Sequence, residues 1–302
     1  MNFDFNNKRA LVTGGTSGIG RAIASELARN GCQVTATGLT DNELDAFDAR
    51  SLPIETRQLD VSDAKAVERL AASIDPLDIL VNAAGTIRRE GREHSPDDFA
   101  AVVDVNLNGT MRMCSACLPL LKRSRGCVLN IASMLSFFGS GKAPAYSASK
   151  GGVAQLTKSL AIAWAEHDIR VNAIAPGWIQ TPLTQPLADD PAISKSLIDR
   201  TPMKRWGKPE DVVGPALFLW QFQDRTPING VRQHDLIAMH IVTMIVQPHL
   251  GHGPAWMKIP FRVVQRSLMR PLPGLQSCNG SACRFGSTFS TETLVLGFRK
   301  IQ

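Results

Sequence analysis

Through the first 220 residues, short β-prone runs alternate with longer stretches that are apolar at helical spacing. The runs at 10–13, 33–37, 55–59, 79–82, 127–131 and 170–175 predict strands, and those at 19–29, 64–74, 97–121, 153–167 and 209–220 predict helices. Alternation of strands with helices is the pattern of a parallel α/β sheet, doubly wound, with helices on both faces. After Trp220 the rhythm stops. The segment 221–302 is rich in Pro, Gly, Ser and His, with a single β-prone run at 236–246. We therefore expect one α/β domain over 1–220 and an atypical C-terminal segment over 221–302, with no repeat of fixed period.

Composition narrows the class. The chain has 302 residues, 44% hydrophobic and 20% charged, which is ordinary for a globular protein. No stretch reaches the ~20 apolar residues that a membrane span requires. Residues 1–8 lack a basic region followed by an apolar one, so the expected compartment is the cytoplasm. The net charge of +6 lies entirely in the tail: residues 1–220 balance 24 basic against 24 acidic side chains, whereas 221–302 carry 9 against 3. Those tail charges are scattered singly, which argues against a nucleic-acid footprint. The six cysteines are too sparse for a disulfide framework, and Cys114 and Cys117 read as core thiols despite their C-x-x-C spacing.

Two motifs carry chemistry. Thr13-Gly14-Gly15-Thr16-Ser17-Gly18-Ile19-Gly20 follows the first predicted strand and opens a helix. Glycines there let the backbone approach a pyrophosphate, whose charge is met by the amides and dipole at the helix N-terminus. The second motif is Tyr146-Ser147-Ala148-Ser149-Lys150, whose ends share one helical face. A phenol exchanges protons poorly at neutral pH unless its phenolate is stabilised, and Lys150 is placed to do that. Ser133 lies at the expected carboxyl end of the fifth strand, where a hydroxyl could hold a substrate oxygen beside Tyr146. A Rossmann-type methyltransferase would have no use for Ser133, Tyr146 and Lys150 at these spacings.

Taken together these residues resemble the short-chain dehydrogenases/reductases, through Thr13–Gly20, Asn82-Ala83-Ala84-Gly85, Ser133 and Tyr146-x-x-x-Lys150; the likeness spans about residues 5–220. It implies an enzyme with a Rossmann-type fold that transfers a hydride between NAD or NADP and a secondary alcohol or its ketone, without a metal. Asn106 would join Ser133, Tyr146 and Lys150 as a catalytic tetrad. By the same resemblance the cofactor would contact Gly14, Thr16, Ser17, Gly18, Ile19 and Gly20, then Asp60, Val61, Asn82, Ala83, Ala84 and Gly85. Tyr146, Lys150, Pro176, Gly177, Ile179 and Thr181 would complete its contacts. Ala83 stands where the family more often has a second asparagine, a departure that should leave backbone contacts intact.

Cofactor choice turns on the end of the second strand, where an acid favours NAD and repels a 2′-phosphate. The stretch Ala36-Thr37-Gly38-Leu39-Thr40 has no acid at 38 and no arginine at 39. That absence inclines the reading to NADP, with Asp41 able to reverse it. The surroundings of Arg88, Arg89, Met134 and Arg205 resemble the gluconate and deoxy-gluconate dehydrogenase branch, so Arg88 or Arg89 could pair a substrate carboxylate. The resemblance also implies a homodimer or homotetramer, if the C-terminus permits. The family's last strand and its V-D-G-G type ending are missing after Trp220, as if a frameshift or fusion had replaced them. The competing reading is accordingly a cofactor-binding but catalytically impaired member. The run 236–246 could stand in for the lost strand.

Overall fold

The computed structural model describes residues 3–47, 52–221 and 242–243. The chain divides into two compact units, Met1–Gly251 and His252–Gln302, of which the second lies outside the described residues. The first holds strands β1 (Arg9–Thr13), β2 (Gln33–Gly38), β3 (Ile54–Gln58), β4 (Ile79–Asn82), β5 (Cys127–Ile131), β6 (Arg170–Ile174) and the two-residue β7 (Val242–Thr243). All pair in parallel, in the order β3-β2-β1-β4-β5-β6-β7. The order reverses between β1 and β4, and that is where a doubly wound sheet opens a crevice at its carboxyl rim.

The helices are α1 (Gly18–Arg29), α2 (Asp41–Asp45), α3 (Ala64–Ala72), α4 (Pro96–Val103), α5 (Gly109–Ser124), α6 (Pro144–Trp164), α7 (Gln185–Ala188), α8 (Pro191–Asp199) and α9 (Glu210–Gln221). They cover both faces of the sheet. On one, Ile23 and Leu27 of α1 and Leu217 and Trp220 of α9 pack on Val12, Val34, Val81 and Leu129. On the other, Val67 and Leu70 of α3, Met113 and Leu121 of α5 and Trp164 of α6 pack on Leu11, Leu80 and Val128. Alternate residues of each strand thus enter opposite cores, which is why the central strands carry few polar residues.

Predicted and observed strands agree to within a residue or so, but two helices do not: α6 begins at Pro144, well before the stretch expected at 153–167. The continuous helix expected over 97–121 is interrupted by a π-helical turn at Asp104–Asn108. Its wider winding keeps helical periodicity on either side, so the apolar pattern carries no trace of it. Of the run 236–246, only Val242 and Thr243 are described, paired with Ala173 and Ile174 of β6. The remainder of that run, with His240, and Asp235 just before it lie outside the described residues. Cys114 and Cys117 are buried and free within the second core, and burial pushes both thiols up to about 12, which suits packing and not redox chemistry.

Candidate active site

The glycine turn between β1 and α1 is shaped by close approach. Gly14 and Gly18 have φ of 62° and 51°, a region that favours glycine. A Cβ on Gly20 would stand 2.2 Å from the Gly14 carbonyl oxygen, and one on Gly14 would stand 2.9 Å from the Ala84 backbone. Ser17 precedes α1 in an extended conformation, leaving the first amides of the helix free to meet an anion. Thr16 is buried, yet its Oγ1 finds no hydrogen-bond partner among the described residues. A cradle too narrow for side chains, at a helix N-terminus and beside an orphaned hydroxyl, fits a dinucleotide pyrophosphate.

The loop after β4 forms the neighbouring wall. Thr13 Oγ1 accepts hydrogen bonds from both the Ala83 and Ala84 amides at 3.2 Å. The bonds are made by the backbone, so alanine at 83 leaves them unaffected. Asn82 is held inside the sheet by its bond to Asn130 Oδ1 at 2.9 Å. Gly85 faces the catalytic cluster: a Cβ there would lie 3.3 Å from Asn106 Oδ1 and 3.6 Å from Lys150 Nζ.

Asn106 comes from the π-helical turn and is fully buried. Its Oδ1 accepts from the Thr86 amide at 2.7 Å, and its Nδ2 donates to the Thr86 carbonyl and to Ser149 Oγ, both at 3.0 Å. Ser133 caps a 3-10 turn at Met134–Ser136, accepting from the Leu135 amide at 3.1 Å. Ser136 Oγ donates to the Lys150 carbonyl at 2.7 Å, tying that turn to α6. Pro176 bonds the same turn through its carbonyl and the Met134 amide.

Tyr146 and Lys150 sit one turn apart near the start of α6, with the Lys150 ammonium 5.7 Å from the Tyr146 ring centre. Lys150 Nζ donates to the Ile131 carbonyl at 2.6 Å, and burial pulls its pKa down to about 8. Tyr146 is pushed up to about 12, chiefly by loss of water; the Glu93 carboxylate adds to that, while the Ser133 hydrogen bond and Arg89 oppose it. The expectation that Lys150 draws the phenol down is thus not met in this geometry: desolvation prevails, and the counterweights are Ser133 and Arg89.

Glu93 escaped the sequence reading. It is 1% exposed, at the centre of a 3-10 turn (Arg92–His94), and its two oxygens accept from the amides of Arg88 and Tyr146, both at 2.9 Å. Polar neighbours in the sequence mark it as a loop residue; only the tertiary contact shows it capping α6. The two arginines part company. Arg88 turns to Asp98 at 3.6 Å, whereas Arg89 acts on Tyr146 electrostatically and donates to the Leu183 carbonyl.

Ile179 and Thr181 lie in the loop after β6. Ile179 is buried and bridges Gly207, and the Thr181 methyl is 3.2 Å from where a Gly18 Cβ would stand, bringing this loop over the glycine turn. Gly177 precedes it. Asp60 follows β3, with its carboxylate bound to the Ser62 amide and hydroxyl at 2.8 and 2.6 Å, and Val61 packs against Gly109. A groove of about 1050 Å³ opens from Thr16, Ser17, Gly18 and Thr181 along α1 and α9, away from Tyr146. The described residues contain no group of three or more His, Cys, Asp or Glu placed to hold a metal.

A doubly wound sheet with an anion cradle at its rim and a Ser, Tyr, Lys and Asn cluster beside it defines a dinucleotide-binding oxidoreductase. Residues 14–230 match the family described as enoyl-(acyl carrier protein) reductase. The chain is 42% identical over 227 residues to the 2-dehydro-3-deoxy-D-gluconate 5-dehydrogenase of Bacillus subtilis (strain 168), covering 72% of this chain and 89% of that one. To the gluconate 5-dehydrogenase of Gluconobacter oxydans (strain 621H) it is 37% identical over 227 residues, with the same coverage. A solved structure of a gluconate 5-dehydrogenase from Burkholderia cenocepacia J2315, in complex with NADP and tartrate, superposes with a TM-score of 0.67 at 32% identity, covering 73% of this chain and 90% of that one. The chain belongs to the short-chain dehydrogenase/reductase family and is an NAD(P)-dependent enzyme that exchanges a hydride with an alcohol or ketone. Nothing in these comparisons supports an impaired member.

Proposed function

We propose that this enzyme interconverts a secondary hydroxyl and a ketone on a sugar acid, within a catalytic domain formed chiefly by residues 1–220, to which Val242–Thr243 adds a short edge strand. The observation that carries the reading is the convergence of Asn106, Ser133, Tyr146 and Lys150 at one point of the sheet rim, with Arg89 acting on the same phenol. The names of its sugar-acid relatives imply substrates that carry a carboxylate, which an arginine whose charge reaches Tyr146 could pair.

The nicotinamide ring, when bound, supplies or accepts the hydride. Gly14, Thr16, Ser17, Gly18, Ile19 and Gly20 would hold the pyrophosphate, Asp60 and Val61 the adenine, Asn82 to Gly85 the adjoining ribose, and Pro176, Gly177, Ile179 and Thr181 the nicotinamide amide. Ser133 Oγ holds the substrate oxygen. Tyr146, neutral at physiological pH, donates its proton as that oxygen gains charge, and in the reverse direction it takes the proton back. Lys150 places a positive charge beside the phenolate so formed, and Asn106 shares the space above Gly85 with it, where a proton path to solvent can begin. Arg89 orients the carboxylate; Arg88, engaged with Asp98, holds the loop.

No described helix is long and apolar enough to cross a membrane, which agrees with the cytoplasmic location we assign. A homodimer or homotetramer is the assembly we expect. Turnover of NADH or NADPH with gluconate and deoxy-gluconate ketones tests the reading: oxidation of either coenzyme dependent on a keto sugar acid supports it, and turnover with simple ketones alone would replace the substrate class.

A further inference from the structure

The end of β2 carries no acid in its own sequence, yet a carboxylate stands there. Glu43 reaches back from α2 and accepts a hydrogen bond from the Leu39 amide through Oε2 at 2.7 Å. The backbone permits this because Thr40 caps α2, accepting from the Glu43 amide, so the first turn of the helix folds over the strand end. Gly38 makes the room: a Cβ there would lie 3.1 Å from Glu43 Oε2 and 2.7 Å from Thr16 Oγ1. A carboxylate and the orphaned Thr16 hydroxyl thus flank one small space, and both residues line the groove that begins at the glycine turn. The nearby cation, Arg21, lies over the Phe47 ring at 5.1 Å from its centre.

We propose that Glu43 sets the choice between the two nicotinamide coenzymes, its carboxylate accepting the ribose hydroxyls of NAD(H) and repelling the 2′-phosphate of NADP(H). The inference rests on the coenzyme-binding reading of the glycine turn and adds to it the residue that discriminates. It departs from the lean to NADP suggested by the strand sequence and from the NADP-bound neighbour, because here an acid arrives from the following helix and not from position 38. Two like charges forced together in a partly desolvated crevice commonly cost tenfold or more in affinity. Asp41, the acid nearest the strand in sequence, is exposed at the start of α2 and has no part in this contact.

The test is direct binding of NADH and NADPH to the full chain, followed by protein fluorescence and calorimetry, with Glu43→Gln, Glu43→Ala and Asp41→Asn beside the natural protein. Thermal melts of each variant confirm folding. The expected result is NADH bound on the order of tenfold more tightly than NADPH by the natural protein and by Asp41→Asn. In both Glu43 variants that ratio falls to about threefold or less, mainly through tighter NADPH. Equal binding by the natural protein, or an unchanged ratio in both folded Glu43 variants, overturns the role of Glu43 while leaving coenzyme binding intact. Failure of both coenzymes to bind the folded natural protein overturns this inference together with the reading beneath it.

Discussion

Around Gly14 and Gly20 the chain is fixed by side chains it lacks, so that backbone meets backbone at distances no Cβ could tolerate. Around Asn106, Ser133 and Lys150, by contrast, nearly every polar atom is held by another: Thr86 by Asn106, Leu135 by Ser133, Ile131 by Lys150. The first region offers a ligand the bare peptide, with partial charges that do not titrate. The second offers groups whose protonation can change, and its rigidity must come from hydrogen bonds. Binding and chemistry are therefore separable, and each should be removable without the other.

The largest effect expected is from Tyr146→Phe, which deletes the proton donor and should lower turnover by roughly 10²- to 10⁴-fold with coenzyme binding little changed. Steady-state rates with a binding titration would check it; unchanged rates would mean the proton comes from elsewhere. The opposite break is Gly20→Ala, whose methyl meets the Gly14 carbonyl and should cost about 3 kcal/mol and most of the coenzyme affinity. Chemical denaturation and NADH titration report the two losses separately.

Much of this was legible in advance. Runs such as Ile79–Asn82 and Cys127–Ile131 are short, apolar and bounded, so their strand character follows from the chain alone, and Tyr146 and Lys150 are placed by helical spacing. What escaped is tertiary. The resemblance named Asn106, but the π-turn that carries it leaves the apolar period unmarked, and Glu93 and Glu43 occupy polar stretches that read as solvated until the chain brings them onto distant amides. The expectation for Lys150 was sound about proximity but gave too little weight to the loss of water around the phenol.

Glu93 sharpens the comparison from the side of the network. Glu93→Gln sets an amide NH₂ against one of the two donors that the carboxylate satisfies, leaving a buried N–H unpaired at about 2 kcal/mol. It also removes a negative charge that raises Tyr146, so the alkaline rise of alcohol oxidation should move to lower pH, a shift that a purely structural role would not produce. Rate against pH, with the melting temperature measured alongside, distinguishes the two.

The last effect is a slope with pH and concerns Lys150. Burial holds its folded pKa near 8, below the ordinary 10.5, so between those values the unfolded chain binds more protons and stability due to this group rises with pH. Lys150→Met should remove a slope of up to about 1.4 kcal/mol per pH unit across that window. Denaturation midpoints at pH 8, 9 and 10 would show it, and parallel curves for the two proteins would refute it.

The guanidinium of Arg170, at the start of β6, donates to the carbonyls of Leu219 and Trp220 and so pins the end of α9 at the amino rim of the sheet. The reacting groups all stand at the carboxyl rim. The last turn of α9 is therefore held at the rim opposite the one that substrate approaches, so a tether fixed to that turn would leave the entrance clear.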